Sequence, residues 1–139
     1  MKTIQGLLLA VALGAGSAQA FESTMAFRVS TPLVVSATPG LHFGKFGEFQ
    51  PTLQADLGLG GGKLLVGADS LGDGMGWGVK AGLMRTWLTP IITEKDQTYL
   101  GGELEFGFRH IVASVGVYAR IEGNQGGNTT LTAGLGWLF

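Results

Sequence analysis

The stretch whose reading decides the fold is "TTLTAGLGWLF", Thr129 to Phe139. Leu131, Ala133, Leu135, Trp137 and Phe139 are apolar, while Thr130, Thr132, Gly134 and Gly136 between them are small or polar. This is a repeat of two, the signature of a β-strand with one wet face and one dry face. Soluble domains more often fray into polar residues at their ends. A strand that finishes on an apolar rung, with an aromatic in last place, therefore raises the question of what its dry face meets.

Upstream the same repeat recurs, cut by turn residues. "GNQGGN" (123–128) separates the last strand from "HIVASVGVYARIE" (110–122), which puts Ile111, Ala113, Val115, Val117, Ala119 and Ile121 on one face. Its other face carries Ser114, Gly116, Tyr118, Arg120 and Glu122. "QTYLGGELEFGF" (97–108) sets Leu100, Leu104, Phe106 and Phe108 against Glu103, Glu105 and Gly107. "GMGWGVKAGLMRTW" (74–87) sets Met75, Trp77, Val79, Ala81 and Leu83 against glycines and Lys80. Two further strands, 51–60 and 62–71, flank the glycines at 60–62, a tight hairpin connection. Residues 22–49 are interrupted by Pro32 and Pro39, and proline is confined to the edges, ends and bulges of sheets. Strands are expected there near 24–35 and 40–48. The total is about eight, with six as the lower bound.

Composition narrows the class. The chain has 139 residues, enough for one domain, and a formal net charge of -1, which advertises no nucleic-acid surface. Cysteine is absent, which removes disulfides and thiolate metal sites, and no cofactor is expected. Residues 1–20 read as a cleaved secretory signal: a positive start at Lys2, the apolar stretch "IQGLLLAVALG", and small residues in "SAQA" where a signal peptidase cuts. The rest, 21–139, is a single all-β domain. No stretch in it approaches the ~20 apolar residues of a membrane helix.

An alternating strand does not itself say whether its dry face meets a protein core or lipid. Its polar face helps to decide. A soluble barrel or sandwich needs a surface rich in Lys and Glu, whereas here that face is mostly glycine and small residues with isolated charges, which suits a narrow barrel interior. Length agrees. Trp77 and Trp87 are ten residues apart on one face, which spans about 33 Å along a strand. With a tilt of roughly 40 to 45 degrees this projects to about 23 to 25 Å, the height of the band between the aromatic girdles of a membrane barrel. Phe106 and Phe108 fall at the Trp77 end, and Tyr99 falls with Trp87.

On these residues the sequence resembles the small outer-membrane β-barrel proteins of Gram-negative bacteria, over most of residues 51–139 together with the signal peptide. The resemblance implies an antiparallel up-and-down transmembrane β-barrel in the bacterial outer membrane. It also implies that Leu131, Ala133, Leu135, Trp137 and Phe139 form the signal that the barrel-assembly machinery recognises. It names the class and no activity.

Eight strands enclose a space that side chains fill, and 119 mature residues cannot supply the ~16 strands of a porin, so a general diffusion pore is not expected. The interior charges are expected to pair: Glu103, Glu105 and Glu122 with Lys80, Arg120 and Arg28, because each alone would cost several kcal/mol. Catalysis is not expected. His110 and Ser114 lie on one strand about 13 Å apart, beyond hydrogen-bond reach, and on the inward register. Arg85 interrupts the outward face near Trp87, where a lipopolysaccharide phosphate could meet its fork of donors. The expected role is structural or an interaction within the envelope, as a monomer whose partners are outer-membrane lipid and lipopolysaccharide. The competing readings are a lipid-modifying outer-membrane enzyme and a soluble periplasmic barrel or sandwich.

Overall fold

The computed structural model describes residues 22–70, 74–88, 90–123 and 128–139. The expected signal peptide, 1–20, and the middle of the turn 123–128 lie outside the described residues. Eight strands close into an antiparallel barrel in chain order: β1 (Glu22–Ser30), β2 (Val34–His42), β3 (Phe49–Gly58), β4 (Gly61–Ser70), β5 (Met75–Thr86), β6 (Thr98–Phe108), β7 (Ile111–Glu122) and β8 (Thr129–Leu138). No helix forms among the described residues. The strand repeat is what produces this closure. On β4 to β8 glycines stand on the inward face and make room in a crowded interior, and closing β1 on β8 removes the free sheet edges.

The first hairpin differs from the expected layout of 24–35 and 40–48. Its turn is Thr31–Leu33, around Pro32, and the strands run 22–30 and 34–42. Pro39 does not end a strand. It sits inside β2 opposite Met25, while the β2–β3 ladder jumps from Ala37–Leu57 to Gly40–Gln54. A proline lacks the donor for a rung, and the ladder is unpaired over Thr38 and Pro39 but resumes in the same register at Gly40, so the gap is flanked by paired rungs.

Strand stagger sets the tilt. At the closing seam only Ala26–Ser30 of β1 pair with Gly134–Leu138 of β8. The seam is extended by hydrogen bonds from Phe139 N–H to the Met25 carbonyl (2.9 Å) and from Thr31 N–H to the Ala133 carbonyl (2.9 Å). Such an offset is the shear that a small barrel requires.

The barrel has a terminal end, carrying Glu22, Phe139 and the turns after β2, β4 and β6, and a far end, carrying the turns after β1, β3, β5 and β7. Near the far end Leu33, Leu65, Met84, Tyr99 and Tyr118 meet inside the lumen as a buried apolar cluster. Leu33 is folded in from the β1–β2 turn and is fully buried. This cluster stops the lumen on that side.

Candidate functional site

Polarity is inverted relative to a soluble protein. Inward residues include Arg28, Gln54, Asp56, Lys63, Lys80 and Glu103, all buried, whereas Val29, Val66 and Leu131 on the outside are 65%, 61% and 66% exposed. The period-two pattern makes this unavoidable once the strands close: whichever face is turned in, the other must face out all round the wall.

The interior charges form two bonded groups, one above the other in the lumen. In the terminal half, an Nη of Arg28 on β1 donates to Glu105 on β6 (2.6 Å), and the other oxygen of Glu105 accepts from Lys80 on β5 (3.0 Å). Lys80 also donates to Gln54 on β3 (2.7 Å) and pairs with Asp69 on β4 (3.3 Å). Asp69 in turn accepts from Thr52 (2.9 Å) and lies 3.1 Å from Nε2 of His42 on β2. Deeper in, Lys63 pairs with Glu103, which also accepts from Thr132 on β8 (3.2 Å). Lys63 sits 5.5 Å from the centre of the Tyr118 ring, where the charged layer meets the apolar cluster. Glycines make the room. Gly67 stands opposite Lys80 and Gly78 opposite Asp69, and a Cβ at Gly78 would lie 3.1 Å from the Asp69 carboxyl carbon.

Of the charges expected inside, Lys80, Glu103 and Glu105 are brought together there, and Arg28 joins them. Glu122 is a correction: it is exposed at the far rim, paired with Arg85 (3.3 Å) and bonded to Thr98 (3.0 Å). Arg120 is half-buried at the same rim and bonds Asn128 (2.9 Å). The cause is a bulge. The β6–β7 ladder runs Tyr99–Arg120 and then Thr98–Glu122, so Ile121 is an extra residue and the parity flips beyond it. Glu122 thereby arrives on the outer face beside Arg85, whose own rung is Thr98. Lys63 and Asp69 are members of the network that strand alternation alone did not single out. Their common sign was available in the sequence: both are charges isolated among apolar and small residues in 62–71.

The aromatics divide likewise. Trp77, Phe106, Phe108, Trp137 and Phe139 face outward at the terminal end. They are joined there by Phe27, edge-on to Phe139 with centroids 5.7 Å apart, and by Phe49, edge-on to Trp77 at 5.6 Å. Trp87 is on the outer wall at the far end, where its ring covers Gly62 and its Nε1–H donates to the Gly58 carbonyl (3.1 Å). Tyr99 is the second correction. It is not interfacial but 2% exposed inside the lumen, because Leu100 next to it takes the outward position. Leu131, Ala133 and Leu135 complete the outward rung of β8.

His110 stacks on Trp137 (5.6 Å, 14°) outside the lumen, while Ser114 is buried within it. No group of three or more metal-ligating side chains occurs among the described residues. No family model matches the chain, and neither a curated protein nor a solved structure matches it.

Proposed function

We propose that this chain is a small outer-membrane β-barrel protein of the eight-stranded class, monomeric, with a structural or envelope-interaction role. The observation that carries the reading is the wall of exposed Val, Leu, Ile and Phe side chains running right round a barrel whose charges are inside. Soluble monomers rarely expose contiguous apolar patches beyond a few hundred Å². Strands of nine to twelve residues are the length that a tilted membrane strand needs. The aromatic belt at the terminal end suits a membrane–water interface.

A role as a general diffusion pore does not fit, because the apolar cluster and the cross-tied ion pairs occupy the lumen. Adhesion by long loops is also disfavoured: the longest described connection at the far end is the β5–β6 turn, 87–97. In this reading the terminal end faces the periplasm, and the outward rung Leu131, Ala133, Leu135, Trp137 and Phe139 is what the barrel-assembly machinery engages. Arg85 keeps one Nη on Thr98 and Glu122, and its further donors are directed to a lipid phosphate.

The test is membrane fractionation combined with gels run before and after boiling. The expected result is recovery with outer membranes and a shift in mobility on boiling. Recovery in the soluble periplasmic fraction would overturn the reading.

A further inference from the structure

The turn between β6 and β7 consists of Arg109 and His110, and both residues are exposed at the terminal end. Both side chains are laid against outward-facing rings. The Arg109 guanidinium lies 5.5 Å from the centre of the Phe108 ring, and the His110 imidazole is stacked on Trp137 with centroids 5.6 Å apart at 14°. Phe108 and Trp137 belong to the outer wall, although Arg109 also borders a cavity of about 130 Å³ in the terminal half of the lumen.

Strand register explains what lies beside the turn. Phe108 is opposite Ile111, Ile111 opposite Trp137 and Trp137 opposite Phe27, which makes one outward row across β6, β7, β8 and β1. One step further into the wall, Leu135 is opposite Val29 and Val29 opposite Val35. A groove of about 360 Å³ runs here, lined on its apolar side by Phe27, Val29, Val35, Ile111, Leu135 and Trp137. The two basic side chains therefore stand at the head of an apolar groove.

Their polar groups are not used up by the protein. Among the described residues the Arg109 side chain has no carboxylate partner. Lys45 and Glu48, the charges of the β2–β3 turn, sit across the barrel, and Glu22 opens β1 opposite His42. Nδ1 of His110 lies 3.3 Å from the Leu138 carbonyl, which can only accept, so Nδ1 carries the proton. In the neutral ring Nε2 is then an acceptor. A cation, an acceptor and an apolar groove in contact with them call for a ligand with an anionic group, a hydroxyl and a hydrocarbon chain.

We propose that the β6–β7 turn and this groove bind one anionic glycerophospholipid, of the phosphatidylglycerol class. The guanidinium fork of Arg109 donates to the phosphate, the head-group glycerol hydroxyl donates to His110 Nε2, and the upper part of an acyl chain lies in the groove. A choline head group brings a second cation towards Arg109 and offers no hydroxyl to His110. Free phosphate leaves the groove uncovered. The proposal rests on the outer-membrane reading, because it needs the terminal end to lie at a membrane surface.

The experiment uses the intact barrel carrying Trp77→Phe and Trp87→Phe, which keeps Trp137 as its one tryptophan. It is placed in phosphatidylcholine nanodiscs containing a small fraction of either phosphatidylglycerol or phosphatidylcholine brominated high on the acyl chain, and Trp137 emission is followed. Phosphatidylglycerol is expected to quench more strongly, with about fivefold enrichment beside Trp137, the worth of one cation at an anionic lipid surface. Arg109→Gln should remove most of the enrichment, and so should His110→Phe, which keeps a ring on Trp137. Lys45→Gln, on the opposite turn at the same end, should leave it unchanged. Sodium phosphate at matched ionic strength should not reduce the quenching. Equal quenching by the two lipids would overturn the proposal while the outer-membrane reading stands. Enrichment that survives Arg109→Gln or His110→Phe would overturn it too, and so would an equal loss in Lys45→Gln, which marks diffuse charge rather than a site. Relief of quenching by free phosphate would reassign Arg109 to a soluble oxyanion and overturn the lipid assignment. No quenching by either lipid would overturn the outer-membrane reading and the proposal together.

Discussion

Lys63 and Glu103 supply the sharpest test of how the interior is held together. Both side chains are 1% exposed, and they face each other across the lumen from β4 and β6. Lys63→Met would leave the Glu103 carboxylate with the Thr132 hydroxyl and no cation in contact. Stranding one member of a buried pair in this way costs about 3 to 5 kcal/mol. Glu103→Leu removes the ammonium's bonded carboxylate instead, leaving the face of Tyr118 beside it and Asp56 opposite it on β3, and a loss of stability is expected here too. The double variant Lys63→Met/Glu103→Leu removes both charges at nearly constant volume, and such exchanges are often neutral or stabilising by about 1 to 4 kcal/mol. The double variant should therefore be more stable than either single one by at least about 2 kcal/mol. Urea unfolding in detergent, followed by tryptophan emission and by the folded band on unboiled gels, measures all four corners of the cycle. If the double variant loses the sum of the two single losses, the charges are hydrated in the folded state, and the picture of a dry, cross-tied lumen is wrong.

Three further outcomes follow from specific side chains. A Cβ at Gly101 would come within 2.7 Å of Tyr118 Cα and Cδ1, whereas one at Gly107, on the same strand and the same inward face, would meet nothing within 4 Å. Gly101→Ala should then lower unfolding stability by about 1 to 3 kcal/mol while Gly107→Ala is neutral or gains up to about 1 kcal/mol; equal effects would remove the crowding argument. Single-tryptophan variants that keep Trp77 or Trp87 should both be quenched best by bromines near the lipid headgroups, and strongest quenching of either from the bilayer centre would contradict two interfacial positions. Arg85→Ala should reduce association with lipopolysaccharide-containing vesicles without moving the unfolding midpoint, since its pair with Glu122 is exposed; unchanged association would eliminate the phosphate contact.

Strand alternation made most of the wall legible. From β5 to β8 the residue faces follow directly from parity, and so did the inward placing of Lys80, Glu103 and Glu105. Parity is local, however, and three features are not. The bulge at Ile121 exists only because β6 and β7 pair with a slip, and it carries Glu122 from the interior to the rim. Which cation meets which carboxylate depends on stagger around the barrel: Glu103 lies opposite Lys80 on the neighbouring strand yet pairs with Lys63, one strand further on. In the first hairpin, Pro39 has the local signature of a strand terminator, yet it lies inside β2, fully paired with β1 on one side and flanked by paired rungs with β3 on the other. The cavity in the terminal half of the lumen was harder still to foresee. His42, Thr38 and Arg109 come from β2 and from the turn between β6 and β7, and no spacing in the chain brings them to one place.

The inverted wall also constrains how the molecule is made. No strand in it is oily on both faces, so a strand alone carries unpaired backbone groups and, on five of the eight, at least one interior charge. Such a strand has no stable place in hydrocarbon by itself. On the proposed outer-membrane reading, entry into a bilayer and closure of β1 on β8 are one event, since the closed object comes into existence only when the seam between Ala26–Ser30 and Gly134–Leu138 is formed.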